Sequence, residues 1–365
     1  MENIAHTLFG LALARAGLDR RGGPAATAAC VIGANLPDID GVTRFFGDND
    51  TYLLHHRGIT HSFFGLAIQA VALAALLHFL ARRRHVPTPG FPFLLLASAL
   101  ALLSHLVLDW TNTYGVRPWL PFSDERLYGD LFFIADPWLW LILGGALALQ
   151  AKKGRAASLL WGSLFVALLA VIGASDRDPA WLAPVFVGAV AVLAFLRGTG
   201  FLSGSPRAAR GALALVTAYA FGVAFLREEA TARLAPPPWG GEPIVEFARI
   251  PQPADPTEWG VLAASEKTVL SASANAFENR AEWAEIERRL SDPRVARALE
   301  TAPGRAIRHF ARFLCAEIEP RDDGRSEVFL RDARYALAPR RSGFGVRAIT
   351  VGDAEGGGDA APPAR

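Results

Sequence analysis

The chain has 365 residues, 52% of them hydrophobic and only 20% charged, with a positive mean hydropathy, a balance too apolar for an ordinary soluble enzyme. Its formal charge of +2 gives no ground for a nucleic-acid partner, so the basic residues are better read for topology.

Two short apolar segments come first, at residues 4–16 and 24–36. At this length hydropathy does not separate half-spanning, re-entrant and spanning helices. The opening MENIAH lacks the basic region of a secretory signal and holds His6, so the segment is expected to stay on the chain. Cys30 lies in the second segment and Cys315 far away in a hydrophilic region, and no disulfide is expected between them.

The motif NLPDIDG follows, where Pro37 and Gly41 should keep Asp38 and Asp40 off a regular helix. Carboxylates spaced in this way can grip a cation from a turn, although a plain loop cap explains such a turn as well. Then comes HHRGITHS. His56 and His61 would point about 140° apart on one helix, so they can converge only from a turn and a helix start. Gly58 supplies backbone freedom and Thr60 a cap. Arg57 offers a guanidinium for an anionic substrate group, or else the loop is a basic segment touching lipid head groups.

Six apolar runs, residues 63–81, 91–110, 131–151, 156–174, 180–196 and 208–226, predict six spans of roughly 20 residues each, the fifth somewhat short. In the second, His105 and Asp109 stand four apart and so share a helix face that can hold a cation or close a polar gap. Ionisable groups within spans are costly and mostly functional. Asp136 opens the third run ahead of Pro137, where it can serve the chemistry or cap the helix. No internal repeat of the inverted-transporter kind is evident.

Arginine and lysine at Arg82, Arg83, Arg84, Lys152, Lys153, Arg155, Arg197, Arg207 and Arg210 place those ends inside, with Asp124, Glu125, Asp130, Asp176 and Asp178 in outer loops. Alternation of the spans then sends His6, Asp38, Asp40, His56, His61, His105, Asp109 and Asp136 to one outer face, and the C-terminal region with them. The expected fold is mainly α: a polytopic membrane bundle of six spans plus two short N-terminal helices, over residues 1–227. A Pro/Gly-rich linker at 228–241 leads to a soluble α+β domain at 242–351 and a flexible tail at 352–365. In that domain strands are predicted at 243–250, 259–272, 313–318 and 327–331, helices around 281–289 and 294–300, and a hairpin turn at Asp322, Asp323 and Gly324.

The motifs AHTLFG, LPDIDG, HHRGITHS, SHLVLDWTNTYG and DLFFIADPW together resemble the YdjM-like family of inner-membrane metal-dependent hydrolases, some of them described as LexA-regulated. The resemblance covers about the first 150 residues. It implies metal binding by His6, Asp38, Asp40, His56, His61, His105 and Asp109, and less directly by Asp136. Mixed imidazole and carboxylate ligands suit Zn²⁺ best here, with Mn²⁺ or Fe²⁺ as alternatives. The expected function is therefore hydrolysis at the outer face of the bacterial inner membrane, on a lipid or lipid-linked phosphoester or acyl substrate. Asp40 or Asp136 would act as general base and Arg57 would steady an anionic head group. Two other readings fit the same residues: a non-enzymatic membrane protein with a structural metal, and a transporter using His105 and Asp109 as a proton or cation relay.

Overall fold

A computed structural model describes residues 1–46, 49–85, 89–151, 154–173, 179–238, 242–335 and 344–352. Lys152, Lys153, Asp176 and Asp178 of the topology argument and the tail beyond Gly352 lie outside the described residues.

Helix α1 (Asn3–Leu13) runs into a π turn at Ala14–Leu18, then α2 (Asp19–Gly33) returns antiparallel to it. The reversal uses Gly17 at φ 138° and Gly23 at φ 58°, both in the region that favours glycine, with Pro24 starting the straight part of α2. The two predicted short helices are therefore present. A 3-10 turn at Leu36–Val42 follows, then the short helices α3 (Thr43–Phe46) and α4 (Asn49–His55), and a second 3-10 turn at Ile59–His61.

The long helices are α5 (Phe63–Arg83), α6 (Phe91–Trp110), α7 (Pro137–Gln150), α8 (Arg155–Gly173), α9 (Leu182–Thr199) and α10 (Pro206–Arg233). Their boundaries follow local chemistry. Ser62 Oγ accepts from Gly65 N at 3.0 Å to start α5, Ser205 caps α10 ahead of Pro206, and Gly200 ends α9 at φ 71°.

Among the described residues, four of these helices, α5, α6, α9 and α10, are long and apolar enough to cross a membrane. Six spans were predicted, and two of them, at α7 and α8, are not among these four. Helix α7 has only 14 residues, because residues 131–136 of the predicted third span form irregular chain with a turn at Ile134 and Ala135, ending at the Asp136 cap. The apolar part of α8 that meets the description is Trp161–Ala170. Helix α7 packs against α1, α8, α9 and α10 and buries residues on all its faces, so it fills the bundle interior rather than facing lipid. Helix α10 also runs on through Arg233, making REEATAR helical where a linker was predicted.

Strands β1 (Glu246–Pro251), β2 (Glu258–Ala264), β3 (Thr268–Asn275) and β4 (Trp283–Glu287) form an antiparallel meander. The helices α11 (Pro293–Leu299) and α12 (Ala302–Phe310) lead to a second antiparallel sheet of β5 (Leu314–Pro320), β6 (Arg325–Asp332) and β7 (Val346–Gly352). The predicted strand at 259–272 is two strands joined at Ser265, whose Oγ accepts from Lys267 N and Thr268 N. The predicted helix at 281–289 is instead β4, paired through Val269 with Ile286 and Leu270 with Glu285. Alternating side chains on a sheet edge override its helix-forming composition. The predicted hairpin turn is present, with Gly324 at φ 73° between β5 and β6. Both cysteines are free and buried.

Because α1, α2, α5, α6, α7 and α10 alternate in direction, the start of α1, the end of α2, the start of α5, the end of α6, the start of α7 and the end of α10 share one end of the bundle. The β-rich domain sits there too. Arg82, Arg83 and Arg197 finish helices at the opposite end. A Cβ on Gly65 would overlap the Ile59 carbonyl, whereas one on Gly222 meets nothing within 4 Å. Gly65→Ala should therefore cost about 1–3 kcal/mol and lower the melting temperature of the purified protein, while Gly222→Ala leaves it unchanged or raised.

Candidate metal centre

Helix α6 carries His105 and Asp109 one turn apart, both fully buried, with Nε2 of the one 3.6 Å from Oδ2 of the other. Opposite them the Leu36–Val42 turn alternates its side chains: Asp38 and Asp40 turn inward while Ile39 and Val42 face out, 56% and 46% exposed. The HHRG segment closes the site from a third side. Arg57 itself takes the left-handed conformation, φ 54°, and Gly58 is required for a different reason than the one predicted: a Cβ there would stand 2.6 Å from the His55 carbonyl oxygen. Nor does Thr60 cap α5, a task Ser62 performs. Its hydroxyl lies 3.2 Å from Asp40 Oδ2 and 3.0 Å from His61 Nδ1.

His61 is the hub. Its Nε2 lies 3.3 Å from Asp38 Oδ1, 3.4 Å from Asp109 Oδ2 and 3.1 Å from His105 Nε2, and its Nδ1 is 3.3 Å from Asp40 Oδ2. One donor atom each from Asp38, His61, His105 and Asp109 lie within 4.8 Å of one another, and Asp38, Asp40 and His56 form a second group by the same measure. Burial disfavours the His61 imidazolium, but hydrogen bonds to Asp109, Asp38 and Asp40 outweigh it and push its pKa up to about 10 when no cation is bound. Burial likewise opposes ionisation of Asp38 and Asp40, yet the histidines beside them hold both below the usual carboxylate range.

These residues fit a divalent cation. His105 Nδ1 is 2.7 Å from the Ala34 carbonyl oxygen, which can only accept, so the proton sits on Nδ1 and leaves the Nε2 lone pair facing His61. Asp109 Oδ2 is buried and faces both imidazoles, 3.4 Å from His61 Nε2 and 3.6 Å from His105 Nε2. Two imidazole nitrogens at 3.1 Å need a proton or a cation between them. The backbone carbonyl behind His105 and the hydroxyl behind His61 are the outer partners that metal-binding histidines ordinarily have. Access is from the Asp38 and His56 side, where the side chains are 16% and 14% exposed.

Seven sequence-predicted residues meet here: His6, Asp38, Asp40, His56, His61, His105 and Asp109. His6 belongs to neither donor group. It stacks on His105 with ring centroids 3.8 Å apart and brings Nε2 to 3.3 Å from Asp109 Oδ1. Arg57 also joins the cluster but is turned away from any substrate: only 2% exposed, it places Nε 2.8 Å from Asp109 Oδ2 and Nη2 2.9 Å from Oδ1, and donates through Nη1 to Asn112 Oδ1 at 2.9 Å. Truncating it would leave the Asp109 charge with only the buried Met1 ammonium and the imidazoles to answer it, at a cost of about 3 kcal/mol. Asp136 stands apart, accepting from Trp138 N at 2.8 Å and Leu139 N at 3.0 Å as the cap of α7, with the Tyr219 hydroxyl at 3.1 Å. Asn112 and Tyr114 were missed by the sequence reading, which gave Thr60 only a capping role. The polar run Thr111, Asn112 and Thr113 directly after the His105 and Asp109 helix was the available signal.

The fold and site define a helical membrane protein with an imidazole and carboxylate centre at one end of its bundle, beneath a β-rich domain. Residues 1–180 match the sequence profile of the family described as YdjM inner membrane protein, and this half of the chain belongs to that family. Over 176 residues, 46% of this chain, it is 28% identical to the uncharacterized protein YfhP of Bacillus subtilis (strain 168). The match spans about half of that relative, 52% of its length. No solved structure matches the chain.

The geometry separates Asp136 from the cation ligands. Asp136→Ala should lower stability by about 1–2 kcal/mol through loss of the cap and leave metal content unchanged, as read by thermal melting and elemental analysis of the same preparation. Loss of bound metal in that variant would instead put Asp136 in the centre.

Proposed function

We propose that the protein is a membrane-bound metal-dependent hydrolase, acting at the outer interface of the bacterial inner membrane on a lipid-borne phosphoester or acyl bond. The observation that carries this reading is the meeting of Asp38, His61, His105 and Asp109, from three separate segments, within 4.8 Å. A divalent cation held there, Zn²⁺ in first place and Mn²⁺ or Fe²⁺ otherwise, would supply Lewis-acid activation of water and of the scissile group.

The chain's own residues supply the rest. Asp38 belongs to both donor groups and lies on the accessible side, so it places a cation within reach of substrate. Asp40 accepts from Arg57 N at 2.8 Å and pairs with His56 Nδ1 at 3.1 Å, which keeps Asp40 ionised and orients His56 beside the accessible side of the centre. Asp136, the other predicted base, lacks that placement. Arg57 acts on Asp109 rather than on an anionic head group. The surrounding bundle keeps bulk water from the buried ligands, which strengthens every charge interaction among them.

A bilayer-resident substrate is supported by what faces outward from the same turn. Ile39 and Val42, with Phe45 and Phe46 at 85% and 86% exposed, form an apolar row directly behind Asp38 and Asp40. The turn packs on α2, α5 and α6, whose apolar surfaces continue the row. The basic helix ends at the far side, Arg82, Arg83 and Arg197, support placing the centre and the β-rich domain outside.

Purified full-length protein should contain close to stoichiometric divalent metal, and a His56→Ala, His61→Ala double variant that still folds should lose it. Full metal content in that variant would remove the centre. With a lipid panel, product release should stop with chelator and with His105→Ala. Phe45→Ser with Phe46→Ser should slow turnover of the long-chain substrate but spare a short-chain soluble analogue. Equal slowing of both would argue against entry from the bilayer.

A further inference from the structure

The β-rich domain lies beyond the family match, yet its core runs into the centre. Leu53 of α4 and Tyr114 pack in one apolar cluster with Val295, Ile307, Phe310, Val328 and Ile349. The Phe310 ring, 1% exposed, stands 5.0 Å from that of Tyr114. On its other sides Tyr114 meets the edge of His56 at 5.2 Å and the Arg57 guanidinium at 4.7 Å.

A charged contact repeats the link. Arg334 and Asp332 are a fully buried pair at 2.7 Å. The Arg334 guanidinium donates to the Phe310 carbonyl at 3.1 Å and also to the carbonyl of Thr113. Thr113 is flanked by Tyr114 and by Asn112, whose Oδ1 accepts from both Tyr114 N and Arg57 Nη1 at 2.9 Å. Arg312 reaches Asp130 Oδ2 at 2.7 Å, Arg117 places Nη1 2.8 Å from His309 Nε2, and Arg347 pairs with Asp50 on α4. A buried ion pair is a costly way to stabilise a domain by itself. Here it is spent on the loop that holds Arg57, and the aromatic contact on the ring that holds His56.

We infer that the C-terminal domain is the positioning half of the cation centre: Phe310 and Arg334 fix Tyr114 and Asn112, and through them His56 and Arg57. This rests on the cation reading given above. It assigns the domain a role in the site without a ligand atom of its own, and it makes the bundle's centre dependent on a segment that the family match does not reach.

The test titrates metal-stripped full-length protein with Co²⁺, reading affinity and the ligand-field absorption spectrum. Outer partners of metal ligands ordinarily change affinity about 10–100-fold, so Phe310→Ala should weaken Co²⁺ binding at least tenfold and alter the spectrum, with Phe310→Leu restoring most of both. Val328→Ala, in the same core but on β6 opposite Ile318 and Ile349, should lower the melting temperature and leave affinity and spectrum as in wild type. Where Phe310→Ala does not fold, Tyr114→Leu replaces it, with the same weakening expected. Wild-type affinity and spectrum in Phe310→Ala or Tyr114→Leu overturn the inference alone, as does equal weakening by Val328→Ala. Failure of the wild-type protein to bind Co²⁺ overturns the cation centre and this inference with it.

Discussion

A carboxylate with no access to water, Asp109 at the end of α6, is the constraint around which the membrane end of this protein is arranged. An isolated charge there would be driven out or neutralised. The guanidinium of Arg57 answers it with Nε and Nη2 at 2.8 and 2.9 Å, and the buried Met1 ammonium and the imidazoles crowd its remaining faces. To deliver that guanidinium the HHRG segment puts a non-glycine residue at φ 54°, strain that surrounding contacts must maintain. Asn112 Oδ1, the Gly115 carbonyl and the Asp109 carbonyl share the two N–H groups of Arg57 Nη1, so the arginine is held inside the structure.

From that pair the architecture reads outward in layers. The bundle brings helix ends of one polarity together. The turn carrying Asp38 and Asp40 is amphipathic in itself, with acids in and Ile39 and Val42 out, which sets a polar centre against an apolar rim. Above them the β-rich domain seals the loop between α6 and α7. Helix α7, too short to count among the four candidate spans, is where the membrane half and the domain meet: Trp138 Nε1 donates to the Ala254 carbonyl at 2.8 Å.

Much of this was legible in the residues. The four-residue step from His105 to Asp109 requires a shared face on any helix, and alternation of apolar runs was enough to send the histidines and acids to one end. Asp136 shows where that logic stops. It lies at the correct end, as topology demanded, but its side chain turns back onto the first amides of α7, a choice that its neighbour Pro137 made equally available. Trp283 to Glu287 failed for another reason: the segment has helix-forming composition, and pairing with β3 decided its state.

Hydropathy, helical spacing and the order of charged loops are properties of neighbouring residues, and the sequence by itself determined through them a membrane bundle, a His-Asp helix face and a one-sided gathering of ligands. Tertiary structure decided the direction in which each turn residue points. Arg57 faces Asp109 from 52 positions away, His6 stacks on His105, and Phe310 backs the ring that touches His56. Side chains in turns have no period to betray their orientation; it is set by the charge or ring that packing brings against them.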